Sequence, residues 1–116
     1  MIISGKELEI RFFEEKSARK YEKAMKRLSQ DAKKAAEAKG NTEAIRTLCF
    51  AIRSCFDYLF APGTSNQIFG DRLDLEEHLD ALNTLQEEKN RQDLQMSSKI
   101  ARFKTLAEGY KNESPD

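Results

Sequence analysis

Residues 43–60 read Glu43-Ala44-Ile45-Arg46-Thr47-Leu48-Cys49-Phe50-Ala51-Ile52-Arg53-Ser54-Cys55-Phe56-Asp57-Tyr58-Leu59-Phe60. Ile45, Leu48, Cys49, Ile52, Cys55, Phe56, Leu59 and Phe60 recur at the i, i+3, i+4, i+7 spacing of one helix face. Phe50 and Tyr58 add bulk off that face. The spacing predicts a core helix touched on more than one side. Ala61-Pro62-Gly63-Thr64-Ser65 ends it, because Pro62 lacks an N–H and disfavours helical geometry at Ala61. Thr64 or Ser65 can cap a single turn, Asn66-Gln67-Ile68-Phe69, closed by Gly70, with Asp71 and Asp74 as the next caps.

Helical spacing extends to both sides of this centre. Residues 74–108 predict about ten helical turns, with Leu75, Leu79, Leu82 and Leu85 on one face of the first part. Residues 86–93, Gln-Glu-Glu-Lys-Asn-Arg-Gln-Asp, hold no apolar side chain, so they cross solvent or mark a break. Apolar positions resume at Leu94, Met96, Ile100, Phe103, Leu106, Ala107 and Tyr110. Upstream, Ala18, Tyr21, Met25, Leu28, Ala32 and Ala35 trace a narrow stripe on a helix over 15–39. Gly40 is its stop, and Asn41 or Thr42 caps the next helix. Leu8, Ile10 and Phe12 alternate with Glu7, Glu9 and Arg11, which predicts an extended segment or short strand over 6–13. The expected fold is all-α. It is a small bundle of three to four helices with a long C-terminal helix and a short N-terminal strand. A length of 116 residues allows one domain, placed at 1–110, with a disordered tail at 111–116.

Charged residues make up 34% of the chain, yet 20 basic residues cancel 20 acidic ones. That balance disfavours a uniformly basic nucleic-acid binder. The charge is segregated. Residues 1–40 hold eleven basic and seven acidic residues, 41–70 two of each, and 71–116 seven basic and eleven acidic. Either a basic helix packs beside an acidic one, or the basic end of one copy meets the acidic end of the next. No apolar run reaches the roughly 18 residues of a membrane span, and the acidic N-terminus, with Glu7 and Glu9, does not read as a signal peptide.

Chemistry-bearing residues are few. Cys49 and Cys55 sit six apart, about 120° and about 9 Å apart on a helix, which suits neither a disulfide nor a CxxC pair. They read as small buried hydrophobes. His78, among Glu76, Glu77 and Asp80, reads as an exposed helix histidine. Glu14, Glu15, Asp71, Asp74, Glu76 and Glu77 supply carboxylates, but no spacing singles out an acid/base pair. No catalytic, cofactor or metal residues are expected, and no enzyme.

The run Phe56-Asp57-Tyr58-Leu59-Phe60-Ala61-Pro62-Gly63-Thr64-Ser65-Asn66-Gln67-Ile68-Phe69-Gly70, followed by Leu75 and Leu82, resembles the signature FFDxLFGxGTxxxIFG of a family of small phage and prophage proteins from Gram-positive bacteria. Ala18-Arg19-Lys20-Tyr21-Glu22-Lys23-Ala24 resembles that family's AEKYEKA stretch. The match spans roughly residues 8–85, and Ala61-Pro62 departs from the family's usual Gly. The resemblance implies a tail assembly chaperone or similar small tail protein in the bacterial host cytoplasm. Its implied partners are the tape measure protein and the tail tube protein. Self-association and an apolar groove would suit that role. Phe56, Tyr58, Leu59, Phe60, Ile68 and Phe69 either line such a groove or plug the core. The alternative is a generic helical adaptor or regulator, one version of which binds nucleic acid through Lys16, Arg19, Lys20, Lys23, Lys26 and Arg27 on a basic helix over 16–34.

Overall fold

A computed structural model describes residues 1–113, with side chains described to residue 110. The last three residues of the tail expected at 111–116 lie outside the described residues. In chain order a hairpin pairs β1 (Ile2–Ile3) antiparallel with β2 (Lys6–Glu7). Four helices follow: α1 (Glu15–Ala36), α2 (Asn41–Leu59), α3 (Thr64–Phe69) and α4 (Leu75–Glu113). The fold is the expected all-α bundle with a long last helix.

The α2 helix is the centre. Cys49, Ile52, Cys55, Phe56 and Leu59 are buried on the face that the spacing assigns. The α1 helix packs along it through Ala24 and the half-buried Tyr21, Met25 and Leu28. Ala24 was not on the expected stripe, and Ala32, which was, is exposed. The basic α1 does not lie along the acidic start of α4. Its described polar links to α4 are Tyr21 with Gln86 and Lys89. All four ion pairs among the described residues are local in sequence. The segregated charges therefore do not neutralise one another inside the fold.

The hinge holds itself by side-chain capping. Asp57 on α2 accepts hydrogen bonds from the Ser65 N–H at 2.8 Å and the Ser65 hydroxyl at 2.9 Å. These bonds fasten the start of α3 to α2. Gly63 at φ +93° and Gly70 at φ +62° take left-handed conformations that bracket α3. Asp57→Ala lowers unfolding free energy by about 1–2 kcal/mol, the range of a lost cap. Urea denaturation measures it, and Asp57→Asn recovers part of the loss.

The N-terminal segment differs from expectation. Strand pairing is confined to Lys6–Glu7 and its partner, and the turn uses positive φ at both Ser4 (51°) and Gly5 (76°). That is the geometry of a tight hairpin turn. Leu8 still exchanges backbone hydrogen bonds with Met1 at 2.8 and 2.9 Å, and beyond it the chain is extended without a strand partner. Leu8 and Ile10 are half-buried and Phe12 is buried, while Glu9 and Arg11 are exposed, so the alternation holds without a strand. Gln92 on α4 takes the role of a strand neighbour. Its side-chain amide donates to the Ile10 carbonyl at 2.8 Å, and its oxygen accepts from the Phe12 N–H at 3.0 Å.

This clasp explains why α4 stays continuous through residues 86–93. Gln86 accepts from the Tyr21 hydroxyl at 3.0 Å, and Lys89 lies 5.6 Å from the Phe13 ring centre. The polar stretch is an interface with the N-terminal segment and α1 rather than a break. From Ser97 to Glu108 every residue of α4 is exposed. The radius of gyration is 19.1 Å, against about 13 Å for a compact domain of this length. The excess is the free end of α4.

Candidate functional site

Two regions carry more than packing. The first is a buried polar node where α2, α3 and α4 meet. Arg53 lies on the apolar face of α2, four residues after Cys49 and three before Phe56, and is only 9% exposed. No carboxylate pairs with it among the described residues. Its guanidinium donates to the Gly70 carbonyl at 2.7 Å, the Arg72 carbonyl at 2.9 Å and the Asn66 side-chain oxygen at 3.2 Å. Its Nε–H donates to His78 Nε2 at 3.1 Å. His78 is fully buried, which overturns its reading as an exposed histidine. Its ring stacks on Phe69 at 3.8 Å.

This geometry fixes the protonation of His78. Nε2 accepts from Arg53, so it carries no proton. Nδ1 therefore bears the hydrogen and donates to the Asp74 carbonyl at 2.6 Å. Burial and then the Arg53 charge push the imidazole below its ordinary value, against the raising effect of the Asp74 hydrogen bond. The unfolded histidine protonates near pH 6.5, before the folded one does. Acid therefore favours the unfolded chain. The His78 contribution is intact above about pH 6.5, is lost as pH falls below that value, and levels once the folded imidazole also protonates. Urea midpoints should drop between about pH 7.5 and about pH 5.5, and His78→Asn should flatten that slope.

The node is suited to holding the hinge, not to turnover. Arg53 spends its donors on fixed carbonyls, and His78 has no free nitrogen. Burial pushes the Cys55 thiol up to about 12 and raises Cys49 as well, so neither is a thiolate nucleophile at neutral pH. Among the described residues, no three of His, Cys, Asp and Glu converge as metal ligands. No described helix is long and apolar enough to cross a membrane.

The residues expected to line a groove part company here. Phe56, Leu59, Ile68 and Phe69 are buried in the core, at 0%, 7%, 4% and 1% exposure. They plug the hinge and offer no surface to a partner in this fold. Tyr58 and Phe60 are half-buried. Tyr58 lies beneath Lys20 and Arg27 of α1, at 5.8 and 4.7 Å from its ring centre. Arg19 pairs with Glu15. Half of the six cations proposed for nucleic acid are thus engaged within the fold.

The second region is the free half of α4. Leu94, Ile100, Phe103, Leu106 and Tyr110 are 75%, 45%, 68%, 69% and 81% exposed. Single exposed apolar residues are ordinary, but Ile100, Phe103, Leu106 and Tyr110 follow at steps of three and four, which makes them a candidate interaction surface. Arg53 and His78 were missed as members of a site, although both fall on apolar helix rows in the sequence. A charged or polar residue at such a position is the signal that finds them.

No curated protein and no solved structure matches the chain. Residues 4–114 match a family of unknown function, DUF6673, and the chain belongs to that family.

Proposed function

We propose that this protein is a phage tail assembly chaperone, or a related small tail morphogenesis protein. It acts in the bacterial host cytoplasm, without catalysis, by binding the tape measure protein, the tail tube protein or both, and by self-association. The observation that carries the reading is the free half of α4, where Ile100, Phe103, Leu106 and Tyr110 stand exposed on one helix. A protein that masks apolar helices of a long partner needs such a face on a soluble body. The phage-protein signature at residues 56–70 supports the same reading. In this chain its residues work as a lock: Phe56 and Phe69 fill the core, Asp57 caps α3, and Gly63 and Gly70 make the turns.

Co-purification with a tape measure fragment tests the proposal, together with sedimentation across a wide concentration range. Complex formation and concentration-dependent oligomers are expected. A strict monomer that ignores both the tape measure fragment and the tail tube protein overturns it.

A further inference from the structure

We propose that the free half of α4 is the docking surface, and that its occupant is an amphipathic helix with acidic flanks from a different protein. The inference rests on the proposed function in taking the partner to be a helical protein. The α4 helix keeps one inward face along its length. Ala81, Leu85 and Gln92 on that face meet the body. Steps of three and four carry it on through Met96, Ile100, Phe103, Ala107 and Tyr110. The body ends before those residues do. Over residues 97–110 of α4, about 20 Å of helix extends with no chain packed against it. A cleft of 590 Å³ opens where the body stops, lined by Ile10, Phe13, Glu14, Met96 and Lys99 among others. A helix laid along the stripe would continue the bundle and end against this cleft.

Charge selects the occupant. Lys99 and Lys104 flank the stripe on its two sides, with Arg102 behind, and Glu108 is the one acid among residues 94–110. These are the positions that choose partners in paired helices. A second copy's free half is a poor fit, because a two-fold antiparallel pairing centred near Phe103 sets the Lys104 flank of one helix against the same flank of the other. Acidic flanks on the incoming helix remove that repulsion.

A fluorescent peptide of about three heptads, with Leu and Ile at the core positions and Glu on both flanks, is the probe. Anisotropy with the full chain should show binding that weakens with salt. The same peptide with Lys flanks should bind at least about tenfold more weakly. Phe103→Ser should lower affinity for the Glu-flanked peptide at least about tenfold. Phe103 is 68% exposed, so the variant should keep its circular dichroism and melting profile. Lys99→Glu with Lys104→Glu should reverse the preference. Equal affinity for both peptides, no binding of either, or wild-type affinity in Phe103→Ser overturns the proposal. So does a dimer of the chain alone that Phe103→Ser dissolves. If a tape measure fragment binds Phe103→Ser as well as wild type, the surface is wrong and the chaperone reading stands. If the Glu-flanked peptide binds but neither tail partner does, the surface stands and that reading falls.

Discussion

Arg53→Ala lowers the unfolding free energy by about 3–4 kcal/mol, a large share of the roughly 5–15 kcal/mol typical of a domain. The size follows from what the guanidinium leaves behind. Removing it strands the Gly70 and Arg72 carbonyls, the Asn66 side-chain oxygen and His78 Nε2, all of which it satisfies in the fold. Each stranded group that stays buried costs about 1–3 kcal/mol, reduced where water enters the space. Arg53→Lys should recover little, because a single ammonium cannot reach four acceptors in the guanidinium's planar arrangement. Urea denaturation near neutral pH measures both variants. A loss below about 1 kcal/mol for Arg53→Ala would mean the node is an ornament of the hinge rather than its fastening.

Phe69→Ala should destabilise by about 3–5 kcal/mol, the range for deleting a buried aromatic. Phe69 is 1% exposed and touches the node from below. Its ring meets Phe56 edge-on at 6.0 Å, stacks on His78 at 3.8 Å and lies 5.4 Å from the Arg53 guanidinium. Its loss opens a cavity and also admits water to His78. The variant's stability should therefore depend less on pH between about 5.5 and 7.5 than the parent's, as the folded imidazole regains a normal titration. Phe69→Leu refills part of the volume and should cost less than half as much. Destabilisation without the flattened pH slope would separate packing from protection of the imidazole.

Much of the fold was legible because helix periodicity survives wherever one face is buried. The α2 face, the Pro62 break and the single turn of α3 follow from spacing and turn chemistry. The α4 helix was legible in type but not in continuity or register. The spacing groups Leu75, Leu79, Leu82 and Leu85 on one face, whereas the buried positions are His78, Ala81 and Leu85, and Leu79 is 43% exposed. A histidine beside three acids reads as polar surface until a second helix supplies the Arg53 donor. Residues 86–93 were illegible for a related reason. Gln92 satisfies an extended backbone 80 and 82 positions away, and nothing local in the sequence announces such a partner. The hairpin at Ile2–Glu7 is too short for alternation to register, so the Ser4-Gly5 turn dipeptide has no strand pattern beside it to give it meaning.

The candidate site moved for the same physical cause. Aromatics at residues 56–69 carry the apolar content that suits either a groove or a core. In so small a body the hinge buries four of the six. The longest run of exposed apolar residues lies instead in α4, where the sequence shows spacing but cannot show that the body runs out beneath it.

Hydrogen–deuterium exchange of the full chain, alone and saturated with the Glu-flanked helical peptide, tests most directly where this protein meets its partner. In the free chain, amides over 97–110 should exchange early, since no tertiary contact holds that part of the helix. With the peptide bound, protection should rise over 94–110 and stay unchanged over 56–70. Protection that appears at 56–70 and not on α4 would return the hinge to the role of binding groove and contradict the account.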